Sequence, residues 1–153
     1  MTKNMNLFDK IGADLLEAMK AREKEKLEAL RNVKKALIEA RAAKGAGTEL
    51  TDDESLKVIQ KLAKQGRDSA AIYKTQERSD LYEQEAFQVQ VIESYLPAKL
   101  STSDLETAIS SIILTAGATS IKDMGKVMSL ASKELAGKAE GREISDMVKK
   151  LLG

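Results

Sequence analysis

Apolar residues recur at three- and four-residue spacing from near the start of the chain, at Leu7, Ile11, Leu15 and Met19, with Phe8 and Leu16 beside them. That spacing places them on one stripe of a helix. Leu27, Leu30, Val33 and Leu37 resume the stripe after the charged stretch Arg22 to Lys26. Residues 1–43 therefore read as one long helix or as two helices meeting near Ala21, stopped by Gly45-Ala46-Gly47. Glycine is the usual residue at and beyond a helix C-terminus. Thr51-Asp52-Asp53-Glu54 then has the form of a capping box, with the Asp pair favouring the positive end of the helix dipole. Val58, Ile59, Leu62, Ala70 and Tyr73 share one side of that helix. Ser79 is expected to cap the next, which carries Leu81, Phe87, Val91, Ile92 and Tyr95 and ends at Leu96-Pro97, since proline disfavours helix at the residue before it. The spacing predicts a long antiparallel hairpin, 52–78 against 80–96.

After Pro97 the segments shorten, charges thin out and glycines multiply. Ser101 caps a helix holding Leu105, Ala108, Ile109, Ile112 and Ile113 that stops near Gly117. Ile121 to Leu135 forms another, with Met124, Val127, Met128 and Ala131 inward, and Ile144, Met147, Val148 and Leu151 mark a short terminal helix. Strict apolar/polar alternation of strand length is missing. The expectation is an all-α chain: a long-helix hairpin N-terminal domain, 1–96, and a small three-helix C-terminal domain, 98–153, joined at Pro97.

Composition narrows the chemistry more than the fold. The 153 residues include no His, no Cys and no Trp. Disulfides, Cys/His zinc sites, thiol nucleophiles and imidazole bases are excluded, and with them Ser–His–Asp and Cys–His mechanisms. The polar start, Met1 to Leu7, leads directly into helix and lacks the features of a signal peptide. The longest uncharged stretch, Thr107 to Ile121, is too short and too rich in Thr, Ser and Gly for a bilayer. A soluble, cytoplasmic protein without membrane association is expected.

The formal net charge is only +1, so any capture of nucleic acid must rest on local patches. One is sharp. Lys57, Lys61, Lys64, Arg67, Lys74 and Arg78 fall within an arc of roughly 140° at helical spacing, opposite the apolar side. Cations spaced along a rigid helix can displace condensed counterions from a phosphate backbone. The bland alternative is a solvated face that pairs with Glu83 and Glu85 of the next helix. Lys20, Lys24, Arg31 and Lys35 make a second stripe, weakened by interleaved Glu23, Glu25, Glu28 and Glu39. By contrast, 79–96 holds acidic side chains and no basic one. Lys122, Lys126, Lys138 and Arg142 are the further cationic candidates of the second domain.

Other constellations are explained without chemistry. Asp52-Asp53-Glu54 offers oxygen ligands for a hard cation, but capping accounts for all three. Ser101-Thr102-Ser103 and Ser110-Ser111 have no base singled out beside them. Gly125-Lys126 lacks the preceding glycine and following Ser/Thr of a P-loop. Met124 and Met128 read as core fillers. No catalytic residue, metal site or cofactor site is assigned.

Tyr95-Leu96-Pro97 with Leu100, then Asp123-Met124-Gly125-Lys126-Val127-Met128, then Gly137 to Gly141 and the closing Val148-Lys149-Lys150-Leu151-Leu152 resemble the YqeY-like family. Leu30-Arg31, Lys64-Gln65 with Arg67 and Ser69, and Arg78-Ser79-Asp80-Leu81 with Glu83 and Glu85 agree in order, so the resemblance spans nearly the whole chain. Gly66 departs from it, standing where the family more often keeps a longer side chain, and is expected to soften its helix. The family is similar to the C-terminal tail of the B subunit of the tRNA-dependent amidotransferase, which converts misacylated Glu-tRNA(Gln) or Asp-tRNA(Asn) to the amide form. The resemblance implies an all-α fold and contact with tRNA, ATP-dependent activation and amide transfer belonging to other parts of that enzyme. The label carbon–nitrogen ligase with glutamine as amido-N-donor belongs to the complete complex. The resulting expectation is a non-catalytic tRNA- or RNA-binding module using Lys57, Lys61, Lys64 and Arg67, with Lys122, Lys126, Lys138 and Arg142 as further contacts. A protein-interaction adaptor and an accessory part of such a ligase complex stay open beside it.

Overall fold

The computed structural model describes residues 6–153. The polar segment 1–5 read against a signal peptide lies outside the described residues. Every regular element among the described residues is helical: α1 Leu7–Lys20, α2 Lys24–Lys44, α3 Asp52–Thr75, α4 Ser79–Glu93, α5 Thr102–Ala116, α6 Met124–Glu134 and α7 Gly141–Leu152, with a 3₁₀ turn Ile121–Asp123 leading into α6. Among them, no helix is long and apolar enough to cross a membrane. The chain divides into two compact units, one ending at Leu96 and the other running Pro97–Gly153.

In the first unit the N-terminal pattern resolves into two helices. Arg22 sits in the left-handed region at φ 59°, which breaks the helical run between Lys20 and Lys24. The α1 stripe buries Ile11, Leu15 and Ala18. Ile11 joins Val33 and Leu37 of α2, Ile59 and Ala63 of α3, and Ile92 of α4 in one cluster, while Leu15 and Ala18 meet Leu30 in a second. The Thr51 capping box forms as its spacing predicts: Glu54 N–H donates to Thr51 Oγ1 at 3.1 Å, and Thr51 N–H donates to Glu54 Oε1 at 3.0 Å. Asp52 serves a different helix, accepting from the Leu7 N–H at 2.9 Å and so closing the start of α1.

One local expectation is corrected, and one position gains a role. Ser79 is the first residue of α4, and its N-cap is Arg78, which makes no side-chain capping bond. The side chain that reaches across this start is the Arg78 guanidinium, bonded to both Asp80 carboxylate oxygens at 3.3 Å. Gly66 does not break α3, which runs unbroken from Asp52 to Thr75. It is a contact point: a Cβ there would lie 2.6 Å from Val89 Cγ2 of α4. Its missing side chain lets the two helices approach, and their antiparallel register follows from the pairs Arg67–Glu93 and Lys74–Tyr82.

The second unit packs Leu105, Ile109 and Ile112 of α5, Val127 and Ala131 of α6, and Ile144, Met147 and Val148 of α7 into one cluster. Ser101 caps α5 and Gly117 ends it at φ 68°. The helix expected over Ile121–Leu135 opens as the 3₁₀ turn, because Asp123 Oδ2 takes the Thr119 N–H at 2.9 Å and the Ser120 N–H at 3.4 Å, holding the entry tight.

Candidate nucleic-acid interface

Helix α3 turns Ser55, Ile59, Ala63, Gly66 and Ala70 inward. At about 100° per residue, the direction opposite that face falls between Lys57 and Lys61. Lys57, Lys61 and Lys64 lie within about 60° of one another around it, with rises of about 6 and 4.5 Å between successive members. All three are exposed, and among the described residues none of them forms an ion pair. They form a row of available ammonium groups, bounded along the helix by Asp53 and Asp68.

The rest of the six-residue stripe does not stay on that row. Arg67 is rotated toward α4, where its Nη1 donates to Glu93 Oε1 at 2.8 Å. Lys74 turns the same way, its Nζ 5.8 Å from the centre of the Tyr82 ring. Arg78 lies beyond the end of α3 and is held by Asp80. That pairing raises the Arg78 pKa and lowers that of Asp80. The close approach at Gly66 explains the split: cations on the α4 side of α3 meet acidic and aromatic groups of α4, while those on the outer side are exposed and have no ion-pair partner among the described residues. The partners are Glu93, Tyr82 and Asp80, where sequence reasoning had named Glu83 and Glu85.

The second stripe is shortened by the break between α1 and α2. Lys20 ends α1, so Lys24, Arg31 and Lys35 alone share a face of α2, within about 40° of one another. Lys44 is withdrawn from solution chemistry by bonds to Glu54 Oε1 at 2.6 Å and to the Glu49 carbonyl at 2.9 Å. The Lys44 ammonium and the Thr51 N–H together lower the Glu54 carboxyl from 4.5 to about 2. The acidic trio at 52–54 is thus occupied at Asp52 and Glu54 by helix starts and by Lys44.

In the second unit Lys122, Lys126, Lys138 and Arg142 are all exposed, but they stand on four different pieces of chain: the 3₁₀ turn, α6, the α6–α7 connection and α7. They form no single row. Lys133 and Lys149, which sequence reasoning passed over, align with Lys126 and Arg142 respectively, each at a seven-residue spacing that returns to the same face. That spacing was the signal available to find them. Arg142 shares its face with Asp146, four residues on, which offsets its charge.

Several residues that carry the family resemblance have structural roles. Asp123 accepts backbone N–H groups, which lower its pKa, with Lys126 as a lesser contributor. Val127 is fully buried and Met124 and Met128 pack on the same cluster. Tyr95 packs in the first unit, and its hydroxyl donates to Asp14 Oδ2 at 2.6 Å. Burial and Asp14 push that phenol above its ordinary range. Gly137 is buried at φ 77°, and beside it the Lys138 carbonyl accepts the Leu100 N–H at 2.9 Å. Gly125 is different, for a Cβ there would meet nothing within 4 Å.

No curated protein matches the chain. The model of the family described as YqeY-like protein matches residues 8–152. With that match covering nearly the whole chain, the chain belongs to the YqeY-like family.

Proposed function

We propose that the protein is a non-catalytic RNA-binding module, with tRNA as the expected ligand, and that α3 supplies the primary contact. The observation that carries this reading is the row Lys57, Lys61 and Lys64, exposed and without ion pairs among the described residues, on one continuous helix. The helix fixes the spacing of the three stems along one face, and each ammonium that meets a phosphate releases condensed counterions. Arg67 is a secondary contact, because reaching phosphate requires leaving Glu93. Lys122, Lys126, Lys138 and Arg142, with Lys133 and Lys149, are further contacts on the second unit taken by itself, which in this reading corresponds to the amidotransferase-tail-like module. The activity takes place in the cytoplasm, and any link to a glutamine-dependent carbon–nitrogen ligase runs through delivery of tRNA and not through chemistry on this chain.

The test is binding of the purified chain to bulk tRNA titrated against salt. Three phosphate contacts on duplex-like RNA give a slope of log affinity against log salt of about −2.7, with further contacts steepening it. K57E/K61E/K64E is expected to retain the helical circular dichroism of the parent, since all three side chains are exposed, and to lose binding. Unchanged affinity and slope in that variant would overturn the assignment of α3. Absence of binding by the parent at low salt would overturn the RNA reading altogether.

A further inference from the structure

Helix α4 is acidic: over 79–96 the chain carries Asp80, Glu83, Glu85 and Glu93 and no basic side chain. Its first turns border an open groove of about 440 Å³ lined by Glu25 of α2 and by Asp80, Leu81, Glu83, Gln84 and Phe87 of α4. Phe87 is 37% exposed, a large aromatic left in contact with water in the groove lining. Asp80 already holds Arg78, but Glu25 and Glu83 form no ion pair among the described residues. The groove lining therefore joins the apolar side chains of Phe87 and Leu81 to an exposed acidic rim, Glu25 and Glu83, with no ion pair among the described residues.

Three occupants are distinguishable by chemistry. Phosphate is repelled by the rim, so nucleic acid is disfavoured here. A metal ion needs carboxylates converging on one point, and among the described residues no group of three acidic side chains is placed to hold one. A guanidinium or ammonium on a flexible stem fits both features, lying over the aromatic face while its charge meets the rim. We infer that this α2–α4 groove is a docking site for an Arg/Lys-bearing segment of a protein partner. The inference stands apart from the RNA reading, which uses the outer face of α3.

A fluorescein-labelled octa-arginine peptide serves as the probe, read by anisotropy on the full chain at moderate salt. E25Q/E83Q is expected to weaken binding about three- to tenfold and F87A about two- to fivefold, as expected for rim charges and an exposed cation–π contact. E28Q/E39Q removes the same charge from the outer face of α2 and is expected to change affinity by less than about twofold. Equal weakening by E28Q/E39Q would reduce the effect to bulk charge and overturn the site. So would an unchanged affinity in both groove variants, with circular dichroism showing all of them folded. Sedimentation of the chain without peptide tests the remaining occupant. Self-association lost in E25Q/E83Q would make a second copy the occupant and overturn the inference of a separate protein partner; a monomer at the same concentration supports it.

Discussion

Substituting alanine for Gly66 should destabilise this protein even though alanine is the better helix former. In an unhindered helix interior the exchange gains about 1 kcal/mol. Here the new Cβ would stand 2.6 Å from Val89 Cγ2. Valine is stiff at χ1 in a helix and cannot swing that methyl away cheaply, so α3 and α4 must part. Overpacking of this kind costs about 1–3 kcal/mol. The net for G66A is a loss between roughly zero and 2 kcal/mol. The sharper expectation is a change of sign. V89A removes two methyl groups at about 0.8 kcal/mol each, before any cavity contribution. With the obstructing methyl gone, adding G66A to V89A should recover about 1 kcal/mol. The coupling between the sites is then about 1–3 kcal/mol. The slowest-exchanging amides of α3 and α4 in native-state hydrogen exchange report the free energy of the first unit directly, within the intact chain. If G66A stabilises the parent, or if its effect is the same in both backgrounds to within about 0.5 kcal/mol, the close-contact account of Gly66 fails.

Glu54 makes stability depend on acid. Its carboxyl lies at about 2 in the folded chain against 4.5 otherwise, so its contribution is present above 4.5 and is lost as pH falls toward 2. Melting temperatures measured across that window should fall more steeply for the parent than for E54Q; parallel profiles would contradict the Lys44–Glu54–Thr51 arrangement. Y95F, which removes the hydroxyl donor to Asp14, should cost about 1.5 kcal/mol in urea unfolding without loss of helix content. G125A, with no neighbour within 4 Å to meet its Cβ, should change stability by between zero and about 1 kcal/mol in the favourable direction by the same measurement; a marked loss would mean that the backbone there needs glycine.

Features decided within a few residues were legible in the chain itself. The Thr51–Glu54 box, the Ser101 cap and the glycine stop after α5 depend on side chains three or four positions from the backbone groups they serve. A break near Ala21 was one of two readings left open by the apolar periodicity, and the left-handed Arg22 that decides between them had no linear signal. What periodicity could not supply is the rotation of one helix against another. A stripe of six cations looks uniform on an isolated α3, and only the neighbouring α4 turns Arg67 and Lys74 aside and leaves three facing water. Gly66 read as a weakness for the same reason, since its role lies in Val89, twenty-three positions away. The groove at Phe87 needs Glu25 from a helix remote in sequence and had no linear signature.

The cationic row on the outer face of α3, set beside the acidic α4, has a consequence in chromatography and in orientation. A net charge of +1 suggests a protein indifferent to ion exchangers, yet local patches, and not the sum, set adsorption. At low salt the chain should be retained on a cation exchanger through the α3 row and on an anion exchanger through α4, eluting early from both as screening shortens the reach of each patch. Near any extended polyelectrolyte the same charge separation acts as a torque, turning the first unit before contact so that one helix leads and the other trails.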